Sequence, residues 1–135
     1  MGLPARFARR FRFLRLLRLS LVAGAIYDAG FALLLAVRPD LPAAWLDLPL
    51  PGERFYLWTL AVLLTMLAAL YLEAARDPRR YSAVIAVAIG GRLLACLVFL
   101  AVALPRPDLA GLLPLSAVDG AFALGHALFW WPIRS

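Results

Sequence analysis

The feature that most constrains this chain is the stretch from residue 83 to 104, AVIAVAIGGRLLACLVFLAVAL, apolar throughout except for Arg92 near its middle. A helix rises ~1.5 Å per residue, so ~20 apolar residues match a ~30 Å hydrocarbon core. The stretch therefore reads as a membrane-spanning helix, and the arginine becomes the exception to explain. Inserting an arginine at the centre of such a helix costs about 2.5 to 3.5 kcal/mol, so the residue turns to the bundle interior and finds acceptors there. Other spans must supply those acceptors.

Composition agrees with a membrane protein. The chain has 135 residues, enough for one domain, and is 64% hydrophobic with mean hydropathy +0.86. Its net charge is +6, with every basic residue an arginine. These arginines fall in blocks beside apolar spans, where they act as topology signals; they make no nucleic-acid footprint, and no nucleic-acid partner is expected. The single Cys96 excludes an internal disulfide and reads as a small apolar residue of its helix. One histidine and one cysteine are too few soft ligands for a metal site. No nucleotide loop, nucleophile elbow, zinc motif or haem motif occurs, so no cofactor is expected.

Residues 1–18, MGLPARFARRFRFLRLLR, form a basic segment with six arginines interleaved with Phe and Leu. Directly before the first span, this block places the N-terminus in the cytoplasm. It is either an amphipathic helix lying on anionic lipid or an orienting signal alone. A cleavable signal peptide is disfavoured, because the apolar run that follows is long, contains Asp28 and ends in Arg38-Pro39 without a small-x-small site.

Residues 19–135 hold four spans, at about 19–37, 55–75, 83–104 and 112–131. In the first, Ser20, Gly24 and Asp28 recur every four residues and form one small, polar stripe that should face other helices. Residues 40–54 contain Pro42, Pro49, Pro51 and Gly52 and cannot be one continuous helix. They read as an interfacial segment anchored by Trp45, or as a lid over a cavity between the helices. In the second span Thr59, Met66 and Glu73 are seven apart and share a face that can point into the bundle, with water at the inner end as the alternative for Glu73. In the fourth, Asp119 and His126 are also seven apart, and Ser116/Gly120 and Ala121/Gly125 are small-xxx-small pairs suited to close packing.

Ten arginines fall on the side of the termini and three, Arg38, Arg54 and Arg106, on the other. The expected fold is thus all-α: a four-helix, up-and-down transmembrane bundle with both termini cytoplasmic. Counting along the helices puts Asp28 and Arg92 near the midplane, with Asp119 ~5 Å to one side and His126 about as far to the other. The four can meet inside one bundle. Two carboxylates against one guanidinium and one imidazole invite a shared proton, because like charges at close range do not both ionise cheaply in a low dielectric. The candidate binding residues are Arg92, Asp28, Asp119, His126, Tyr27 and Glu73, with Asp28 and Asp119 as candidate catalytic groups. A buried Asp–Arg pair that only fixes helix pairing is the structural alternative.

The stretches ALYLEAARDPRRY, GlyGlyArgLeu at residues 90–93 and AVDGAFALGHALFW resemble small bacterial four-helix membrane proteins similar to the DoxX-like group. The positions that carry the resemblance are Asp28, Pro39, the Phe55-Tyr56-Leu57 start of the second span, residues 75–78, Arg92, Asp119 and His126. The resemblance implies four spans and a bacterial inner membrane. It implies no activity.

Three functions fit this pattern. The first is a protein that binds or transports a lipid-soluble or cationic small molecule beside Arg92, with membrane lipids as further partners and a homodimer as the exchanger-type version. The second is a membrane-embedded acid/base enzyme of isomerase, cyclase or epoxide-hydrolase type acting on an isoprenoid-like substrate. The third is an accessory subunit whose buried charges serve assembly.

Overall fold

The computed structural model describes residues 5–134, and among them every regular element is helical. Four helices are long and apolar enough to cross a membrane: α1 (Ala5–Val37), α3 (Arg54–Arg76), α4 (Ser82–Ala103) and α5 (Leu112–Trp130). A short helix, α2 (Asp40–Leu46), lies between the first two, and 3-10 turns at Pro107–Leu109 and Trp131–Ile133 flank α5. The breaks fall where the chain chemistry demands them. Pro39, Pro78, Pro105 and Pro107 cannot donate to a continuing helix ladder, and each sits in a connection.

The expected spans are present, with one difference in the first. From Ala5 onward, the basic segment and the first apolar run form one unbroken helix of 33 residues, about 50 Å long at ~1.5 Å per residue. Its arginine-bearing turns are tied to the same end of the bundle. Arg18 donates to the carbonyl of Arg76 at 3.1 Å, and Arg10 to the carbonyl of Ile133 at 3.3 Å.

α1 packs along α3 and α4 along α5, while α1 against α5 and α3 against α4 close the ring. Sequence neighbours are thus spatial neighbours, as short connections favour. Two apolar cores result. One joins Leu17, Leu21 and Ala25 to Ala68, Tyr71, Ala74, Ile85 and Ala88 near the arginine-rich end. The other, of Ala32, Leu35 and Ala61, lies towards the opposite end. Asp28 sits between them in sequence and in space. Leu33, Val62, Val87 and Leu124 are among many large apolar side chains left open on the outside of the bundle. In water such a surface would be an association site; in lipid it matches the solvent.

The inward face of α3 departs from the expectation. Thr59 and Met66 are exposed, and Glu73 pairs with Arg76 at the helix end. The buried stripe is instead Ala61, Ala68 and Ala75 with Tyr71. Small residues win the inward face because they let α1 approach closely. Thr59 tolerates the outer face because its hydroxyl donates to the carbonyl of Phe55 at 2.9 Å.

At the end of the bundle away from the termini, two of the three arginines are paired with adjacent aspartates. Arg38 holds Asp40 through two hydrogen bonds, at 2.8 and 3.0 Å, and Arg106 holds Asp108 at 2.7 Å. Each guanidinium holds its partner carboxyl below the ordinary carboxylate range. The segment 40–54 folds across this end. α2 stops at Asp47, whose backbone is left-handed (φ 50°), and its last residue meets the α4–α5 connection at Gly111. A Cβ on Gly111 would lie 1.6 Å from the carbonyl oxygen of Leu46, so only glycine permits this contact.

Candidate functional site

Each spanning helix brings one polar group to a common depth. Arg92 of α4 donates from Nη1 to Asp119 Oδ1 of α5 at 2.5 Å and from Nη2 to Asp28 Oδ1 of α1 at 2.6 Å. Its Nε donates to the hydroxyl of Tyr71 on α3 at 3.1 Å. The planar guanidinium has donors pointing in several directions, so one side chain ties the other three helices to its own. A lysine, with a compact head on a flexible stem, would not hold three partners in this geometry.

The cluster is dry. Arg92 is 6% exposed, Asp119 8%, and Asp28, Tyr71 and His126 are fully buried. Aromatic faces complete the enclosure. The guanidinium carbon lies 5.0 Å from the ring centre of Phe122, 5.5 Å from Tyr71 and 5.6 Å from Tyr27. These contacts offset part of the lost hydration of the cation. With both aspartates ionised and His126 neutral, the cluster carries one more negative than positive charge. A proton or another cation would make it neutral.

His126 occupies the next layer towards the arginine-rich end. Its Nδ1 and Ser20 Oγ are hydrogen-bonded at 2.8 Å, and its ring stands edge-on to Tyr71 with centres 5.6 Å apart. The Ser20, Gly24, Asp28 stripe faces inward as its spacing predicts. Gly24 is the close-approach position, since a Cβ there would meet the Tyr71 ring at 3.1 Å and His126 Nε2 at 3.6 Å. Among the described residues, two polar atoms in this region are buried without a partner: Asp28 Oδ2 and His126 Nε2. Leaving a buried polar atom unsatisfied costs about 1 to 3 kcal/mol, so a pair of them marks the polar stripe as more than packing.

Of the six candidate residues, the structure brings Asp28, Arg92, Asp119 and Tyr27 together, with His126 beside them. Glu73 stands apart at the end of α3, bonded to the exposed Arg76. Tyr71 is the residue the sequence reading missed. The available signal was its place beside the Ala61, Ala68, Ala75 stripe, three residues after Ala68 and four before Ala75; the Thr59, Met66, Glu73 repeat lies on the opposite side of the helix. The small-xxx-small pairs do mark contacts. Gly120 lies against Cys96 and Gly125 against Ser20, while Ser116 donates to the Cys96 carbonyl at 2.9 Å.

An apolar cavity of about 220 Å³ lies between the bundle and the 40–54 segment. Phe31, Leu35, Leu57 and Phe99 line it from the helices, and Pro42 and Leu48 from the segment above. Residues 40–54 thus cover a cavity, and Trp45, 69% exposed, projects outward from them. Phe31 stacks on Tyr27 with ring centres 6.1 Å apart, and Tyr27 covers Arg92. Two aromatic rings therefore separate the cavity from the charged cluster. Comparison with known protein families, with characterised proteins and with solved structures finds no match to this chain.

Proposed function

We propose that this is a small integral membrane protein that binds or moves a lipid-soluble or cationic small molecule between the covered cavity and the Arg92 cluster. The observation that carries the reading is the stacking of Phe31, on the wall of the apolar cavity, against Tyr27, which lies over the guanidinium of a cluster with one carboxylate more than it has guanidinium groups. An apolar space of this volume exceeds the ~150 Å³ that admits benzene in an engineered core. A cation that passed Phe31 would meet the excess carboxylate and the faces of Tyr27 and Phe122.

On this reading the chain sits in a bacterial plasma membrane with both termini in the cytoplasm. Support comes from the ten arginines at one end, set against three at the other, two of which are neutralised by adjacent aspartates. A place beside the DoxX-like proteins is part of the same proposal, resting on the short stretches that resemble them.

The test uses two probes that differ only in charge, 1-naphthylmethylammonium and naphthalene, equilibrated with the full chain in mild detergent. Leu57→Phe, which fills the cavity, should weaken both probes about tenfold, whereas Asp28→Asn should weaken the cation alone. Unchanged binding of both probes to both variants would overturn the proposal. The acid/base enzyme is the second reading, favoured by the partnerless Asp28 Oδ2 and His126 Nε2. Under it, Asp28→Asn removes turnover of an isoprenoid epoxide and leaves its binding intact; unchanged turnover would exclude Asp28 from the chemistry.

A further inference from the structure

The polar stripe of α1 runs from the Arg92 cluster to the arginine-rich end of the bundle. Asp28, Gly24 and Ser20 lie one turn apart on one face, so Ser20 is ~12 Å along the axis from Asp28 and ~3 Å from Arg18. Arg18 in turn is bonded to the carbonyl of Arg76, the last residue of α3. Asp28 is fully buried, whereas Ser20 is only half-buried. His126 of α5 fills the step between them. Its Nδ1 is hydrogen-bonded to Ser20 Oγ, and its Nε2 lies 3.6 Å from where a Cβ on Gly24 would stand. The ring is thus set along the stripe, with one nitrogen towards each end.

The charges around Asp28 leave one proton to be placed. Arg92 of α4 bonds Asp28 and Asp119 of α5, each through Oδ1, and Tyr71 of α3 accepts from its Nε, while Tyr27 of α1 lies over the guanidinium. Around His126 stand Ser20 of α1, Tyr71 of α3 and Phe122 of its own helix, and Arg92 of α4 is the charged group that acts on it. None of these contacts occupies Asp28 Oδ2 or His126 Nε2, the two partnerless buried atoms among the described residues. A proton on Oδ2 balances the cluster's two carboxylates and one guanidinium. An imidazole can pass that proton on, because it accepts at one ring nitrogen and releases from the other.

We propose that His126 and Ser20 form a proton path between Asp28 and the arginine-rich end of the bundle, and that a cation entering the Arg92 cluster exchanges for the Asp28 proton. The exchange rests on the cation reading given above; the path stands on the stripe itself. The O–H bond of Asp28 breaks as an N–H bond forms at His126 Nε2. The Nδ1 proton passes to Ser20 Oγ while the hydroxyl's own proton leaves towards the arginine-rich end. The imidazole ends as its other tautomer and no electrons are transferred, so one proton leaves for each positive charge that enters. Return of the proton when the cation departs restores the first tautomer.

The test is deuterium exchange of the Asp28 carboxyl proton in the full chain in mild detergent, read as the isotope shift of a neutral carboxylic C=O infrared band after rapid mixing with D2O. Wild type near neutral pH should show one such band, absent from Asp28→Asn. His126→Gln should slow its deuteration about a hundredfold, the lower end of what one positioned acid–base group contributes to a proton transfer. Ser20→Ala should slow it too, and Val87→Ala, on the outer surface, should leave it unchanged. The direction separates a path from packing, since a variant that merely loosened the bundle would admit solvent and speed exchange. Adding 1-naphthylmethylammonium should remove the band and release one proton per probe bound, read with an indicator dye, whereas naphthalene should release none. Absence of the band in wild type, its persistence in Asp28→Asn, or deuteration at the wild-type rate or faster in both His126→Gln and Ser20→Ala overturns the path. A cation that binds without removing the band overturns the exchange. A cation that does not bind, with slowed deuteration in the two variants, overturns the cation reading and the exchange and supports the path.

Discussion

Replacing Arg92 with methionine removes one side chain and leaves three partners behind. Asp28 and Asp119 lose donors at 2.6 and 2.5 Å, and Tyr71 loses the nitrogen that its hydroxyl accepts from. Two magnitudes bear on the outcome. Neutral polar contacts between spanning helices average ~0.6 kcal/mol, whereas removing one member of a buried ion pair costs about 3 to 5 kcal/mol because the other charge is stranded. The second figure governs here, since Asp28 is fully buried and Asp119 nearly so, and no other cation reaches them among the described residues. Arg92→Met should therefore lower stability by about 3 to 5 kcal/mol. Adding Asp28→Asn and Asp119→Asn removes the stranded charges, and the triple variant should recover to within about 2 kcal/mol of wild type. The assay is SDS-driven loss of tertiary structure in mild detergent, followed by tryptophan fluorescence. A loss below about 1 kcal/mol for Arg92→Met would refute the view of the guanidinium as the tie between helices, on the scale of ordinary membrane contacts. A triple variant as unstable as the single one would show that lost packing, rather than stranded charge, is the cause.

Three further outcomes follow from single contacts. Tyr71→Phe removes the acceptor for Arg92 Nε and should cost about 1.5 to 3 kcal/mol in the same assay, the range for hydrogen bonds to charged groups. Ser20→Ala leaves both nitrogens of His126 without a partner and should cost about 1 to 3 kcal/mol; a neutral effect would mean the histidine finds another partner. Gly111→Ala forces a methyl into the Leu46 carbonyl, so the 40–54 segment must shift, at about 1 to 3 kcal/mol. Faster proteolysis within residues 47–53 would report that shift, and wild-type resistance would argue against the close contact.

Four long apolar helices, their boundaries apart from the start of the first, and the meeting of Asp28, Arg92 and Asp119 were legible in the sequence, because each depends on local chemistry. Apolar length sets a span, proline ends it, and rise per residue converts position to depth. The Ser20, Gly24, Asp28 stripe was legible for the same reason, as a helix repeats its face every four residues. The inward face of α3 was not. Thr59, Met66 and Glu73 form a regular seven-residue repeat, yet close packing against α1 selected the alanine face and carried Tyr71 to Arg92. A sequence period names a face without saying which neighbour it meets.

The chain alone thus determined that Arg92 lies midway along an apolar helix and requires acceptors. Only the tertiary structure decided which acceptors these are: Asp28, Asp119 and Tyr71, one from each remaining span. It also decided that Glu73 is spent on Arg76, and that the proline-rich segment covers a cavity two aromatic rings from the charge. The physical reason is that insertion into a bilayer is settled helix by helix by hydropathy and charge, whereas partner choice depends on helix rotation. Rotation is set by small residues packing across an interface, and no single helix contains that information.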